Sequence, residues 1–373
     1  MQLLFTAQAE DIHASSVAYA LAQAGHGVSF WCTDDVPQKQ TGSVYLGNEI
    51  EPIFSCQAPD LASKNLENFD IVWHRRPSRP VMPSHMHPAD MPVAEQEFGY
   101  FIAGLRNCLA PHARWVNPLR SYDISSDKIL QLKLARECGL RIPETLASHD
   151  PVAIRTFARS HERSGLIFKS FAPANWRLSD GGIAAVYTTL LSDGDLDNDY
   201  ALRHAPGIYQ PYVPKAYEVR VTMFGRHDVS IKIDSQNSAD GKIDWRGDAN
   251  EALGFTLYEL PAVVRDGCIL LMEKLGIVFG CFDFIVTPDG QYIFLEVNPM
   301  GNFLPIEDTC PESRMLETFC AFLIGGEGSA QNGMAGVPSF PSLKQNQDFQ
   351  TWAEALKSRH IVAPHRVAME AAE

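Results

Sequence analysis

The sequence predicts an α/β protein built from two or three packed subdomains, and three observations carry that reading. The chain has 373 residues, more than one small core organises. It opens as strand, helix and strand. Its second half holds two hairpin-like runs of alternating apolar and polar residues with a helical stretch between them.

The opening reads as a strand at 3–6, an alanine-rich helix at 13–24 stopped by Gly25, and a strand at 28–32, the start of a Rossmann-like unit. No G-x-G-x-x-G follows the first strand, so a dinucleotide is not indicated. A strand at 70–73 leads into His74-Arg75-Arg76-Pro77, a Pro- and His-rich loop to residue 92, and a helix at 100–109. A boundary falls at Asn117-Pro118. Beyond it, Ser125 and Ser126 are positioned to cap a helix at 127–138, closed by Gly139. Strands follow at 166–169, 184–188 and 207–212, with a turn at 179–182. The first hairpin spans 217–224 and 229–234. A helix at 260–275 precedes the second, at 282–286 and 292–297, with Asp289-Gly290 as its turn. A helix at 314–323 ends the body. Residues 325–342 read as a linker, and 349–358 as a terminal helix.

Composition is that of a globular enzyme: 45% hydrophobic, 20% charged, with a net charge of −14 that argues against a sequence-independent nucleic-acid binder. No apolar run reaches membrane-spanning length, and the first thirty residues lack a secretory leader. Eight scattered cysteines without a C-x-x-C pair fit a reduced, cytoplasmic protein. His74, His85 and His87 lack metal-ligand spacing and read as surface residues.

The second hairpin carries the chemistry. A two-residue Asp289-Gly290 loop pairs Pro288 with Gln291 and so sets Asp283 opposite Glu296, with Asn298 on the same face. Facing carboxylates repel unless a cation lies between them, and hard oxygen ligands suit Mg²⁺. Phe282, Phe284, Val286, Leu295 and Val297 are expected to bury the other face. In the first hairpin a three-residue loop, 225–227, sets Arg220 opposite Lys232 and Glu218 opposite Asp234. The two cations are explained either by a phosphate or acyl-phosphate between them or by an ion-pair network closed by Glu218 and Asp234.

The string Phe294-Leu295-Glu296-Val297-Asn298-Pro299-Met300-Gly301-Asn302-Phe303 resembles the metal-binding strand and loop of ATP-grasp enzymes. The resemblance implies an ATP-grasp fold behind an N-terminal Rossmann-like domain, with ATP and Mg²⁺ as cofactors. It implies Lys128 and Lys169 on the nucleotide phosphates and an adenine hinge at Gln210, Pro211, Tyr212 and Val213. In that hinge the Gln210 side chain and Pro211 carbonyl face the adenine amino group, and the Val213 N–H faces the ring. Glu218 falls to the ribose hydroxyls, Asp283, Glu296 and Asn298 to the metal, and Arg220 with Lys232 to the chemical step.

Lys215-Ala216-Tyr217-Glu218-Val219-Arg220-Val221-Thr222, Lys232-Ile233-Asp234-Ser235-Gln236 and Asp244-Trp245-Arg246 look like the microviridin-type graspetide ligases. So does the strand running into His74-Arg75-Arg76-Pro77. Such enzymes activate Asp or Glu side chains of a ribosomal precursor peptide and join them to Ser/Thr hydroxyls or a Lys amine. The resemblance spans about residues 1–323. It implies a precursor peptide with a leader segment as partner, and a second copy of the chain as homodimer, with neither nucleic acid nor membrane. Related chains with this core attach free amino acids to peptides or small molecules, or act as small-molecule kinases, and these remain the alternatives. The expected division is 1–118 (pre-ATP-grasp), 119–213 (central lobe), 214–325 (C-terminal lobe with the metal site) and 326–373 (linker and tail). Residues 305–308 depart from the family pattern, and the tail is additional to it.

Overall fold

Strands joined through a helix or a long connection can pair in parallel, a geometry that a tight turn forbids. A computed structural model describes residues 1–65, 68–171, 175–177, 183–185, 188–237, 242–245, 253–362 and 369–370. The expected turn at 179–182 and Arg246 lie outside them. The first parallel sheet contains β1 (Gln2–Thr6), β2 (Gly27–Phe30), β3 (Ile71–His74) and β4 (Arg114–Val116), in the order β2-β1-β3-β4. Helix α1 (Ile12–Gln23) connects the first two strands. Its first turn is capped by Asp11, which accepts from Ala14 N at 2.9 Å. Helix α2 (Met91–Cys108) begins nine residues before the expected start, with Pro92 in the first turn, where a missing N–H is harmless. Three antiparallel strands, Thr41–Gly47, Ile50–Ala58 and Leu61–Asn65, form a sheet not anticipated from the sequence.

The chain then enters α3 (Lys128–Glu137). Its cap is Asp127, not the expected serines: Asp127 Oδ1 accepts from Ile129 N and Leu130 N, while Ser126 donates to Tyr122 O. An antiparallel sheet follows, made of β5 (Leu146–Ser148), β6 (Leu166–Lys169), β7 (Thr189–Leu190) and β8 (Gly207–Pro211). Tyr209, Leu166 and Phe168 pack on Ile154 of α4 (Pro151–Ser160). The alternation of a strand therefore turns Ile167, Lys169, Ile208 and Gln210 to the opposite face.

The third sheet holds β9 (Tyr217–Phe224), β10 (His227–Ile233), β11 (Phe255–Tyr258), β12 (Phe279–Val286) and β13 (Tyr292–Asn298), in the order β11-β10-β9-β12-β13. One face, with Val219, Val221, Met223, Phe282 and Phe294, packs on α3 and on α5 (Ala262–Leu275). On the other, Phe224, Ile231, Ile233 and Phe279 join the core of α1, β1 and α6 (Met315–Gly325). Both faces are buried, so apolar alternation alone did not set the register. The β9–β10 turn has two residues, Gly225 and Arg226, rather than three. Arg220 therefore pairs with Ile231 and Val219 with Lys232, not Arg220 with Lys232. Likewise Glu218 pairs with Ile233 instead of Asp234.

Residues 326–345 are more than a linker: Ala330, Phe340 and Leu343 are buried. Helices α7 (Phe340–Gln345) and α8 (Gln347–Arg359) add Phe349, Ala353 and Leu356 to the core of the first sheet, with Tyr19 edge-on to Phe349 and Trp352. The segment that departs from the family pattern is where this tail docks. Buried Glu307 accepts from Leu316 N and Phe340 N at 2.9 Å, and Asp308 pairs with Lys344. At the tail's far end, the fully buried His360 ring contacts Asp35 at 2.7 Å and Asp60 at 3.6 Å; Arg359 also reaches Asp60, and Lys39 binds the Arg359 and His360 carbonyls. Among the described residues no helix is long and apolar enough to cross a membrane.

Burial opposes the charge on His360, but hydrogen bonds to Asp35 and Asp60 outweigh it and push its pKa up to about 9. The folded value exceeds the unfolded one. The contribution to stability is thus full below about pH 6.5 and lost as pH rises through about 9. We expect His360→Asn to cost roughly 3 kcal/mol at pH 6, shrinking above pH 9. Denaturant midpoints of both proteins across that range check this; a difference independent of pH would refute it.

Candidate active site

The β12–β13 hairpin sets Asp283 directly opposite Glu296, as expected, but by two compensating irregularities. The loop has three residues, 288–290. Thr287 N donates to Gln291 O at 3.0 Å, and Gly290 takes φ +82°, a conformation open to glycine. This shifts the ladder by one, so that Val286 faces Tyr292. A bulge then inserts Leu295 between the partners of Phe284 and Asp283 and shifts it back. Leu295 is only half-buried, unlike the neighbours with which it was grouped.

Protein cations approach both carboxylates. Arg220 Nη1 donates to Asp283 at 2.6 and 2.7 Å, and Nη2 to Asn302 O at 3.2 Å. Lys128 Nζ lies 3.2 Å from Glu296 and donates to Ser170 O, also at 3.2 Å. Asn298 Oδ1 accepts from Met300 N at 3.0 Å. Burial works against the Arg220 charge, yet adjacent Asp283 holds its pKa above the ordinary value. Gln131, buried on α3, donates to Val297 O at 2.8 Å and accepts from Val297 N at 3.0 Å, locking the helix that carries Lys128 to the strand that carries Glu296.

The first sheet clamps the loop after the acidic strand. Buried Arg75 binds Asp11 through Nε at 2.9 and 3.0 Å, and reaches Met300 O, Gly301 O and Asn302 Oδ1. His13 Nε2 accepts from Phe303 N and Leu304 N at 3.1 and 3.3 Å. That requires an unprotonated nitrogen, and burial, then Arg75, hold its pKa well below the usual value. Asn117 bridges Phe279 O and Pro299 O. Sequence reasoning assigned none of these three a role. Only the His74-Arg75-Arg76-Pro77 motif and the Asn117-Pro118 boundary pointed toward them.

The other expected residues divide. Lys128 joins the acidic pair, and Lys169 ends β6 one residue before Ser170. Gln210 shares the Lys169 face; its Nε2 donates to Thr145 at 2.9 Å, while its buried Oε1 has no partner among the described residues. Tyr212 N donates to Gly165 O. Pro211 closes β8, and Val213 follows, half-buried. Glu218 lies on the Arg220 face, 2.6 Å from buried Lys215; its pKa is raised by burial, which outweighs the pull of that lysine. Lys232 is not brought to this site. Opposite Val219, it faces away from Arg220, pairs with Asp234 at 2.7 Å and covers the Tyr217 ring. The expected cation pair does not exist because the turn is one residue shorter.

The oxygen set Asp283, Glu296 and Asn298 is hard and would suit Mg²⁺. The orphaned Gln210 acceptor fits a purine amino donor. No protein-family model and no curated protein matches the sequence. Solved structures do. Macrocyclase MdnC bound with precursor peptide MdnA, from Microcystis aeruginosa MRC, matches with TM-score 0.75 and 28% identity over 87% of this chain and 99% of that one. A Chryseobacterium gregarium RiPP-associated ATP-grasp ligase, in complex with ADP and a leader and core peptide, matches with TM-score 0.77 and 23% identity over 86% and 96%. ATP-grasp ligase PsnB, complexed with minimal precursor, Mg and ADP, matches with TM-score 0.65 and 20% identity over 88% and 98%.

Gln131→Leu leaves the Val297 N–H and carbonyl without side-chain partners. We expect it to cost roughly 1–3 kcal/mol of stability and to loosen Lys128 from Glu296. Denaturant titration with hydrogen exchange at β13 measures this; unchanged protection there would contradict it.

Proposed function

We propose that this chain, an ATP-grasp ligase of the graspetide type, uses ATP and Mg²⁺ to activate side-chain carboxylates of a ribosomal precursor peptide. The acyl group then passes to a Ser/Thr hydroxyl or a Lys amine, giving an ester or amide and releasing ADP and phosphate. The observation that carries this reading is the charge array Lys128–Glu296 and Asp283–Arg220 on one sheet face, in a chain that aligns with nearly all of a peptide macrocyclase.

Lys128, at the N-terminus of α3, and Lys169, at the end of β6, hold the nucleotide phosphates. Gln210 Oε1 accepts from the adenine amino group beside the Pro211 carbonyl, with Tyr212 and the Val213 N–H along the hinge. Glu218, oriented by Lys215, accepts from the ribose hydroxyls. Asp283, Glu296 and Asn298 would hold Mg²⁺, which neutralises charge on the transferring phosphoryl group. Arg220, fixed by Asp283, meets the carboxylate and phosphate as they approach each other. A rigid guanidinium lowers that barrier by meeting charge as it develops. Collapse of the acyl-phosphate expels phosphate as the hydroxyl or amine attacks. Lys232 has no part in these steps.

The domain division at 118, 213 and 325 is retained as part of this proposal, with the tail reassigned from linker to docked helices. A cytoplasmic location suits eight free cysteines, six of them buried.

Asp283→Asn and Glu296→Gln should each abolish ADP formation and leave the fold intact. With wild-type enzyme and Mg-ATP, mass spectrometry of a candidate Thr/Ser- and Asp/Glu-rich peptide should show loss of one water per bond. A mass gain would mean ligation or phosphorylation, and normal turnover in either variant would remove the metal assignment.

A further inference from the structure

Three arginines converge on the loop after β13, and among the described residues two of them have a carboxylate partner. Arg75 is paired with Asp11 and Arg220 with Asp283. The third, Arg76, donates through Nε to Met300 O at 3.1 Å, and its backbone N–H contacts Met300 Sδ, also at 3.1 Å. Its two terminal nitrogens have no acceptor among the described residues, and the side chain is exposed. Its backbone is in the left-handed region, φ +43°, which a long side chain adopts only when the surroundings impose it. The fold thus holds this guanidinium in place and leaves its outer edge unused.

The arrangement has a direction. From Ser170, at the end of β6, contacts run through Lys128 to Glu296, across the hairpin to Asp283, on to Arg220 and Asn302, and so to the Met300–Asn302 loop, where Arg75 and Arg76 sit. The nucleotide lysines occupy one end, and Arg76 the other. Enclosure of part of the guanidinium, then the charge of Arg75, lowers the Arg76 pKa; Arg220 adds to the repulsion. Asp11 offsets part of that repulsion, and the outer edge of the guanidinium keeps no hydrogen-bond acceptor among the described residues.

We infer that Arg76 receives the carboxylate that is to be activated, holding it beside Arg220 on the side away from the nucleotide. This rests on the ligase reading above. The planar fork matches a carboxylate, and its anchoring through Nε leaves the edge formed by both Nη atoms for the substrate. Arg76 is then a substrate-binding residue that Arg220 complements.

Phenylglyoxal labelling mapped to Arg76 tests this on the intact chain. N-acetylglutamic acid α-amide serves as a capped side-chain carboxylate, and its glutamine counterpart as the neutral control. With Mg-AMPPNP bound, saturating capped glutamate should slow labelling of Arg76 several-fold and capped glutamine should not, while Mg-AMPPNP alone leaves it unchanged. Arg76→Gln should keep AMPPNP affinity by calorimetry. Protection by nucleotide alone, equal protection by both capped amides, no protection, or lost nucleotide affinity in the variant would each overturn the inference. The ligase reading is judged separately, by water loss from the peptide, so either can fail without the other.

Discussion

Asp283 and Glu296 stand opposite each other on neighbouring strands, and the surrounding structure is organised by the need to balance that charge. Arg220 comes from the adjacent strand β9, Lys128 from the N-terminus of α3, and Gln131 fixes that helix to the strand between Glu296 and Asn298. Two carboxylates at cross-strand distance are costly unless cations are held close. Here Arg220 and Lys128 supply that charge from the protein itself. Catalysis by preorganised charge needs such rigidity, since dipoles and ions that are already placed need not reorganise during reaction.

Rigidity is supplied from the first sheet, far away in sequence. Arg75 and His13 hold the backbone of residues 300–304 from β3 and α1. Each uses a polar atom inside an otherwise apolar core, where an unmet hydrogen bond would be expensive. The docked tail stiffens the same region from outside: it buries Phe340, Phe349 and Leu356 in the core that holds α1 and α6. Glu307, which caps both α6 and α7, ties that tail to the segment following the loop that Arg75 and His13 hold. The loop after β13 is therefore clamped by contacts to three separate parts of the chain.

Much of this was legible in the sequence. The acidic face of the second hairpin could be read because its apolar partners, Phe282, Phe284 and Val297, alternate with it. Its register came out right although the turn is one residue longer than expected and Leu295 bulges to compensate. The first hairpin shows the limit of the same reasoning. With Val219 and Val221 buried on one face and Ile231 and Ile233 on the other, alternation fits either register, and a two-residue turn decided against pairing Arg220 with Lys232. Neither could local pattern reveal the roles of Arg75, His13, Asn117 and Gln131. Apart from the Asp11 and Asn302 side chains that Arg75 also binds, their partners are backbone atoms between 6 and 291 residues away, most of them more than 150, and backbone atoms leave no sequence signature.

The central claim is that a carboxylate oxygen attacks the γ-phosphate and leaves with it. Labelling tests this most directly: a candidate peptide carrying ¹⁸O in its Asp and Glu side-chain carboxylates is turned over with Mg-ATP, and the released phosphate is analysed by mass spectrometry. The account predicts ADP as the nucleotide product and one labelled oxygen in phosphate for each bond formed. Crosslinked peptide with unlabelled phosphate, or formation of AMP and pyrophosphate, would contradict it.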